Sequence, residues 1–290
     1  MRRLFAIIVF VLLAAQSANA QLLWKISGRG IEKPSYILGT HHAVPFTYCD
    51  SIPGLMEAFE EVDYVIGEFD MVKMGEMTPV QMQNMQKRMM MPADTTLLSL
   101  FNVEEKELLD AYLKETVGAE LQMFSAMKPM TIMVTVQNRI LMDIIPDIAS
   151  MTGIDKYMQT LAVSKGKSVG GLETMEYQMS LLYGSSLEEQ ADALLEMAQN
   201  SNSKELLIEL TATYKSQNLD ILWNVFKEQM TRYEYDALVS VSNRNWEKQL
   251  VEPVPAQSSL FVVGSGHLPG EKGMITLLKQ AGYNVEPIQK

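Results

Sequence analysis

Ser35-Tyr-Ile-Leu-Gly-Thr-His-His42 and Ser259-Leu-Phe-Val-Val-Gly-Ser-Gly-His267 lie more than two hundred residues apart, yet they follow one plan. Each is a short apolar run that breaks at a glycine, with a histidine three residues after that glycine (Gly39 to His42, Gly264 to His267). A run of four to eight apolar and β-branched residues bounded by glycine reads as a buried strand. A helix and another strand follow each turn, so the two ends of the chain resemble one another.

Working outward, Leu22 to Ser27 pairs with Ser35 to Leu38 around the turn Gly28 to Pro34, as two antiparallel strands. Pro53 reads as the first turn of a helix through about Glu61, where its missing N–H costs nothing. Val62 to Gly67, Ser168 to Leu172 and Tyr283 to Pro287 read as further strands. Between them the pattern is helical: about Thr78 to Met151, punctuated by Pro92, Pro129 and Pro146, then Gly153 to Lys165. Glu176 to Met230, Tyr233 to Leu250 and Gly270 to Ala281 are the remaining helical stretches. Strands at both ends around a helical middle predict an α/β (α+β) fold. Its mixed β-sheet core is formed by the N- and C-terminal parts and carries a large helical insertion over about 75–152.

The 290 residues include 35 Asp and Glu against 24 Lys and Arg, a net charge of -11. A nucleic-acid partner calls for a basic face, so that class is excluded. One cysteine, Cys49, leaves no disulfide framework, and it reads best as a buried small hydrophobe. Arg2 and Arg3, the apolar run Leu4 to Ala15 and the small-residue site Ala18-Asn19-Ala20 have the plan of a secretory signal peptide over 1–20. The run is too short for the ~20 residues of a spanning helix, so no stable membrane anchor is expected. The chain is expected in the periplasm or outside the cell, with 21–290 as one domain. Met82, Met85, Met89, Met90 and Met91 admit a Cu(I)-type thioether site, although an apolar face fits a chain with 22 methionines better.

His42, Glu68, Glu173 and His267 each stand just after a strand-like run. In open α/β sheets, side chains converge beyond the carboxyl ends of the strands, where ligands bind. Two imidazoles with carboxylates suit a divalent cation such as Zn, Mn, Fe or Co. Glycine before each histidine lets the backbone turn sharply and approach a ligand. His41 competes with His42 for the first position. The residues alone leave open whether this is a site or a structural coincidence.

The opening Leu23-Trp-Lys-Ile-Ser-Gly28 with Pro34 to His42, and the end Phe261-Val-Val-Gly-Ser-Gly-His-Leu-Pro-Gly270, resemble the TraB/PrgY/GumN family, which includes the TIKI proteins. Asp63-Tyr-Val-Ile-Gly-Glu68, Gly153-Ile-Asp155, Gly171-Leu-Glu-Thr174 and Asn243-Arg-Asn245 resemble its interior motifs in order. The resemblance implies a fold like that of the erythromycin esterase and ChaN-like proteins. It also implies a metal-dependent peptidase with Mn or Co favoured, in which His42, His267 and Glu68 hold the metal. Glu173 is then the expected general base or additional ligand, and Arg244 with Asn245 the group that orients substrate or stabilises an oxyanion. The expected partner is a peptide or protein substrate, with a homo-oligomer left open. A non-catalytic protein that sequesters a peptide or haem, and a metal-free esterase, are the rival readings.

Overall fold

The computed structural model describes residues 21–200, 202–229, 239–251 and 257–289. The expected signal peptide, 1–20, and the start of the expected helix at Tyr233 lie outside the described residues. The sheet has six strands: β1 (Leu23–Ser27), β2 (Ser35–Thr40), β3 (Tyr64–Gly67), β4 (Ser168–Gly171), β5 (Ser259–Gly264) and β6 (Asn284–Pro287). Their order is β4-β3-β5-β2-β1-β6. β4, β3, β5 and β2 run parallel, whereas β1 is antiparallel to both β2 and β6, which makes the sheet mixed as expected.

Register explains why the residues that follow the strands gather at one edge. Thr40 lies opposite Gly264, and Gly67 lies opposite both Val262 and Gly171. The four parallel strands therefore end together, and the residues after each leave the sheet side by side. β2 and β5 are buried along nearly their whole length, so their continuous apolar runs fit central strands covered on both faces.

The helices are α1 (Leu55–Glu61), α2 (Pro79–Met89), α3 (Val103–Val117), α4 (Pro129–Ile144), α5 (Ile154–Ser164), α6 (Met175–Leu182), α7 (Leu187–Gln199), α8 (Ser203–Lys215), α9 (Leu219–Gln229), α10 (Val241–Val251) and α11 (Met274–Gln280). Two hydrophobic clusters divide them. One joins the sheet to α1, α5 and α11. The other packs α3, α4 and α7 together through Leu109, Leu113, Ile132, Val136 and Leu194. Helix α8 spans both, with Tyr214 in the sheet cluster and Leu207 packed on the helical one. No described helix is long and apolar enough to cross a membrane.

Some local expectations change. Pro53 precedes the first helix rather than opening it. Gly54 is the N-cap, at φ +70°, and Ile288 packs so close that a side chain there would collide with it. The helix expected from Gly270 begins at Met274, because Gly270 is itself left-handed at φ +89°. Helix α2, which carries much of the methionine run, buries none of its residues, while Met91 beyond it is buried. Cys49 sits in the sheet cluster, and burial pushes its thiol up to about 12, so it stays protonated at neutral pH.

Candidate functional site

The two glycines act by absence of bulk rather than by a special backbone angle. A Cβ on Gly39 would stand 2.7 Å from the Leu268 side chain and 3.1 Å from Ser265 Cα, so the two histidine-bearing turns can press together only over a glycine. A Cβ on Gly264 would stand 3.2 Å from Glu68 Oε1. Instead the Gly264 N–H donates to that oxygen at 2.7 Å. The expected sharp turning is therefore replaced by close approach, of turn to turn and of backbone to carboxylate.

His267 is almost enclosed, its side chain 12% exposed. Asn243 on α10 uses its amide N–H groups on the carbonyls of His267 and Lys272, at 3.1 and 2.8 Å. Its oxygen then accepts from His267 Nδ1 at 2.8 Å, which fixes the proton there. Burial disfavours a second proton and pulls the imidazole below its ordinary range. Nε2 consequently presents a lone pair to Glu68 Oε1, 3.6 Å away. The other Glu68 oxygen accepts from Gln178 Nε2 at 3.0 Å. Trp246 packs against the His267 ring at a tilt of 35°, with centroids 4.4 Å apart.

His42 is held from the opposite side. Its Nδ1 lies 3.6 Å from Asp155 Oδ2, and the Thr40 hydroxyl donates to Oδ1 of the same carboxylate at 2.6 Å. The Asp155 carboxylate pushes His42 up to about 9. In turn His42 and Thr40 keep Asp155 below its usual range despite burial. The His42 side chain is 78% exposed, so Asp155 and not desolvation dominates its behaviour. His42, Glu68 and Asp155 line a cavity of about 20 Å³, with Gln159 and Phe69. That is room for about one water or one small ion.

Glu173 enters from β4. Its backbone N–H donates to the Glu68 carbonyl at 2.8 Å, which places the two acids side by side at the sheet edge. The carboxylate does not serve the following helix, whose N-cap is the Thr174 hydroxyl. Trp246 Nε1 and the Ser242 hydroxyl donate to Oε2, at 3.1 and 3.3 Å. Burial first, then the nearby Glu68 charge, raise Glu173 to about 7.

His42, Glu68, Glu173 and His267 are thus brought to one edge, as expected from their positions after strands. Arg244 is exposed, with no ion-pair partner among the described residues. Asn245 donates to the Tyr177 hydroxyl at 2.6 Å, tying α10 to α6 rather than touching either histidine. His41 turns away to Thr211 on α8 at 3.0 Å, and burial lowers it to about 4. The residues that reasoning from sequence left unassigned are Asp155, Thr40, Asn243, Gln178, Ser242 and Trp246. Helical spacing held a signal for two of them, since Asn243 and Trp246 lie three apart on the face of α10 that meets His267.

A cation fits this donor set chemically. His267 has Nδ1 hydrogen-bonded to a protein oxygen, the arrangement that orients metal-ligating histidines, and His42 Nδ1 faces the Asp155 carboxylate at 3.6 Å. Two acceptors, His267 Nε2 and Glu68 Oε1, also face each other in a buried place where a shared positive centre would relieve their repulsion. Among the described residues, no three His, Cys, Asp or Glu side chains already close on a common coordination point. Comparison with curated proteins and with solved structures yields no match. The profile of one family does match, over residues 22–287, which takes in every strand and both histidine turns: the chain belongs to the TraB/PrgY/gumN family.

Proposed function

We propose that this protein is a metal-dependent hydrolase of peptide bonds, exported to the periplasm or beyond. The observation that carries the reading is the opposition of the His267 Nε2 lone pair and Glu68 Oε1 at 3.6 Å, beside an ion-sized cavity that His42 and Glu68 share. His42, His267 and Glu68 would hold the cation, with Mn or Co favoured by the family resemblance and Zn or Fe accommodated by the donors. When bound, it would supply Lewis-acid polarisation of the scissile carbonyl and lower the pKa of water.

The chain's own groups account for the remaining tasks. Glu173, raised to about 7, is poised to accept a proton from attacking water and return it to the leaving amine. Its Oε2 is occupied by Ser242 and Trp246, leaving Oε1 for that proton. Asp155 and Asn243 orient the two imidazoles from behind. Arg244, exposed on the helix that carries Asn243, is the cation available for a carbonyl oxygen or carboxylate of the substrate.

The test is elemental mass spectrometry on wild type beside His42→Ala/His267→Ala, followed by peptide-library cleavage. Near-stoichiometric Mn, Co, Fe or Zn, lost in the folded double variant together with cleavage, supports the reading. Cleavage of peptides by that folded variant at the wild-type rate removes it.

A further inference from the structure

The site opens onto a second, far larger space. A groove of about 810 Å³ begins at His41, His42 and Ala43 and runs between α4, α7 and α8. This is the upper part of the ~300–1,000 Å³ range typical of ligand clefts. His42 lines both the groove and the ion-sized cavity, so a ligand lying in the groove has one end at the candidate reaction centre.

The lining has a definite chemical character. Met133, Ile140 and Leu207 provide apolar surface. Gln137, Asn138, Asn200 and Asn202 offer amides that both donate and accept, matching the alternating N–H and C=O groups of an extended backbone. Away from the inner end, where His42 faces the Asp155 carboxylate that balances it, charge is supplied by Glu196 on α7 and Glu209 on α8, both exposed, and no described lysine or arginine is part of the lining. His41 lies at the inner end, and Lys215 lies near it but outside the lining. A net charge of -11 extends the same sign over the whole molecule.

We infer that this groove is a substrate subsite selecting extended peptides that carry a cationic side chain, with Glu196 and Glu209 as the specificity-determining residues. The inference takes from the proposed function only that the ligand is a peptide, and binding tests it separately from chemistry. The amides hold the backbone, the methionine and aliphatic surface takes neighbouring side chains, and the two carboxylates reward a guanidinium or ammonium. Exposed carboxylates act modestly and through screened charge, so the preference is a matter of several-fold, weakened by salt.

The experiment uses fluorescein-labelled octapeptides that differ at one position, arginine, citrulline or glutamate, with that position moved along the peptide. Anisotropy is measured at low salt on the His267→Ala chain, a residue outside the groove, so that turnover does not intrude. The arginine peptide should bind about five-fold more tightly than citrulline, and glutamate more weakly than either. Glu196→Gln/Glu209→Gln, at two exposed positions, should bring arginine and citrulline within two-fold while leaving citrulline binding unchanged. Equal affinities in the parent chain, an arginine preference that survives the double substitution, or no peptide binding by the folded chain each overturn the inference. Cleavage is read separately on wild type. An arginine preference abolished by the double substitution, with no cleavage, supports the groove assignment and removes only the hydrolase reading.

Discussion

Asp155 lies behind His42, with Oδ2 3.6 Å from the imidazole Nδ1, and its other oxygen takes the Thr40 hydroxyl at 2.6 Å. Asp155 is 9% exposed, so its charge has these partners in place of water. Asp155→Ala should therefore lower unfolding free energy by about 2–4 kcal/mol, because Thr40 and His42 lose their acceptor together. Asp155→Asn should cost less, since its amide oxygen still accepts from Thr40. Chemical denaturation checks both, and an Asp155→Ala loss below about 0.5 kcal/mol would contradict this account.

The His267 support leads to a different expectation. Asn243→Leu leaves Nδ1 of His267 without its acceptor and two carbonyls, those of His267 and Lys272, without their donors. We expect a destabilisation of about 2–4 kcal/mol. In the variant that remains folded at low temperature, calorimetric affinity for Mn or Co should fall about 10- to 100-fold. Unchanged affinity in a folded Asn243→Leu chain would show that orientation of His267 is immaterial.

Close approach at the first histidine turn is tested by a single methyl group. Gly39→Ala places carbon 2.7 Å from Leu268, whereas at Gly75 nothing lies within 4 Å. The first substitution should cost about 1–3 kcal/mol by overpacking, and Gly75→Ala should be near neutral. Thermal melts of the two variants side by side give the answer. Equal melting temperatures would mean that the turns separate without penalty.

Glu173 makes a pH prediction whose sign is fixed by its raised folded value, about 7 against an ordinary 4.5. Below pH 4.5 the carboxyl is protonated in both folded and unfolded chains, so nothing is lost. Between about 4.5 and 7 the unfolded chain releases its proton while the folded chain keeps it, and stability falls as pH rises. Above about 7 the full penalty applies. Because the group is partly exposed, solvent screening limits the effect to about 1–2 kcal/mol. With chelator present, Glu173→Gln should remove this part of the pH slope. A wild-type and a Glu173→Gln curve that run parallel from pH 5 to 8 would refute it.

The strands and the converging residues were legible because both depend on patterns close together in the chain. Burial on both faces leaves uninterrupted apolar runs, such as Phe261-Val-Val263, and each candidate ligand follows its strand directly. Asp155 and Asn243 were not assignable as supports, because their roles arise from pairs 113 and 24 residues apart, His42 with Asp155 and His267 with Asn243. Nothing local marks a helix residue as facing a particular imidazole. Asn245 illustrates the same limit: it sits beside Arg244 in the sequence, but the helical turn carries it to Tyr177 instead. The reason for Gly39 was equally hidden, since the Leu268 contact is with the other end of the chain.

Strand β5 occupies the centre of the sheet, between β3 and β2, although it is among the last parts of the chain to be made. A ribosome builds from the N-terminus, so β3 must wait through nearly two hundred residues, and β2 through more than two hundred, for the strand that joins them. Pairing over so long a separation is slow and leaves apolar strand edges open meanwhile. His42 and Glu68 have no His267 to meet until that insertion is complete. A chain still being synthesised therefore lacks the assembled strand-end cluster, and any product truncated ahead of Ser259 has no His267 to set beside Glu68.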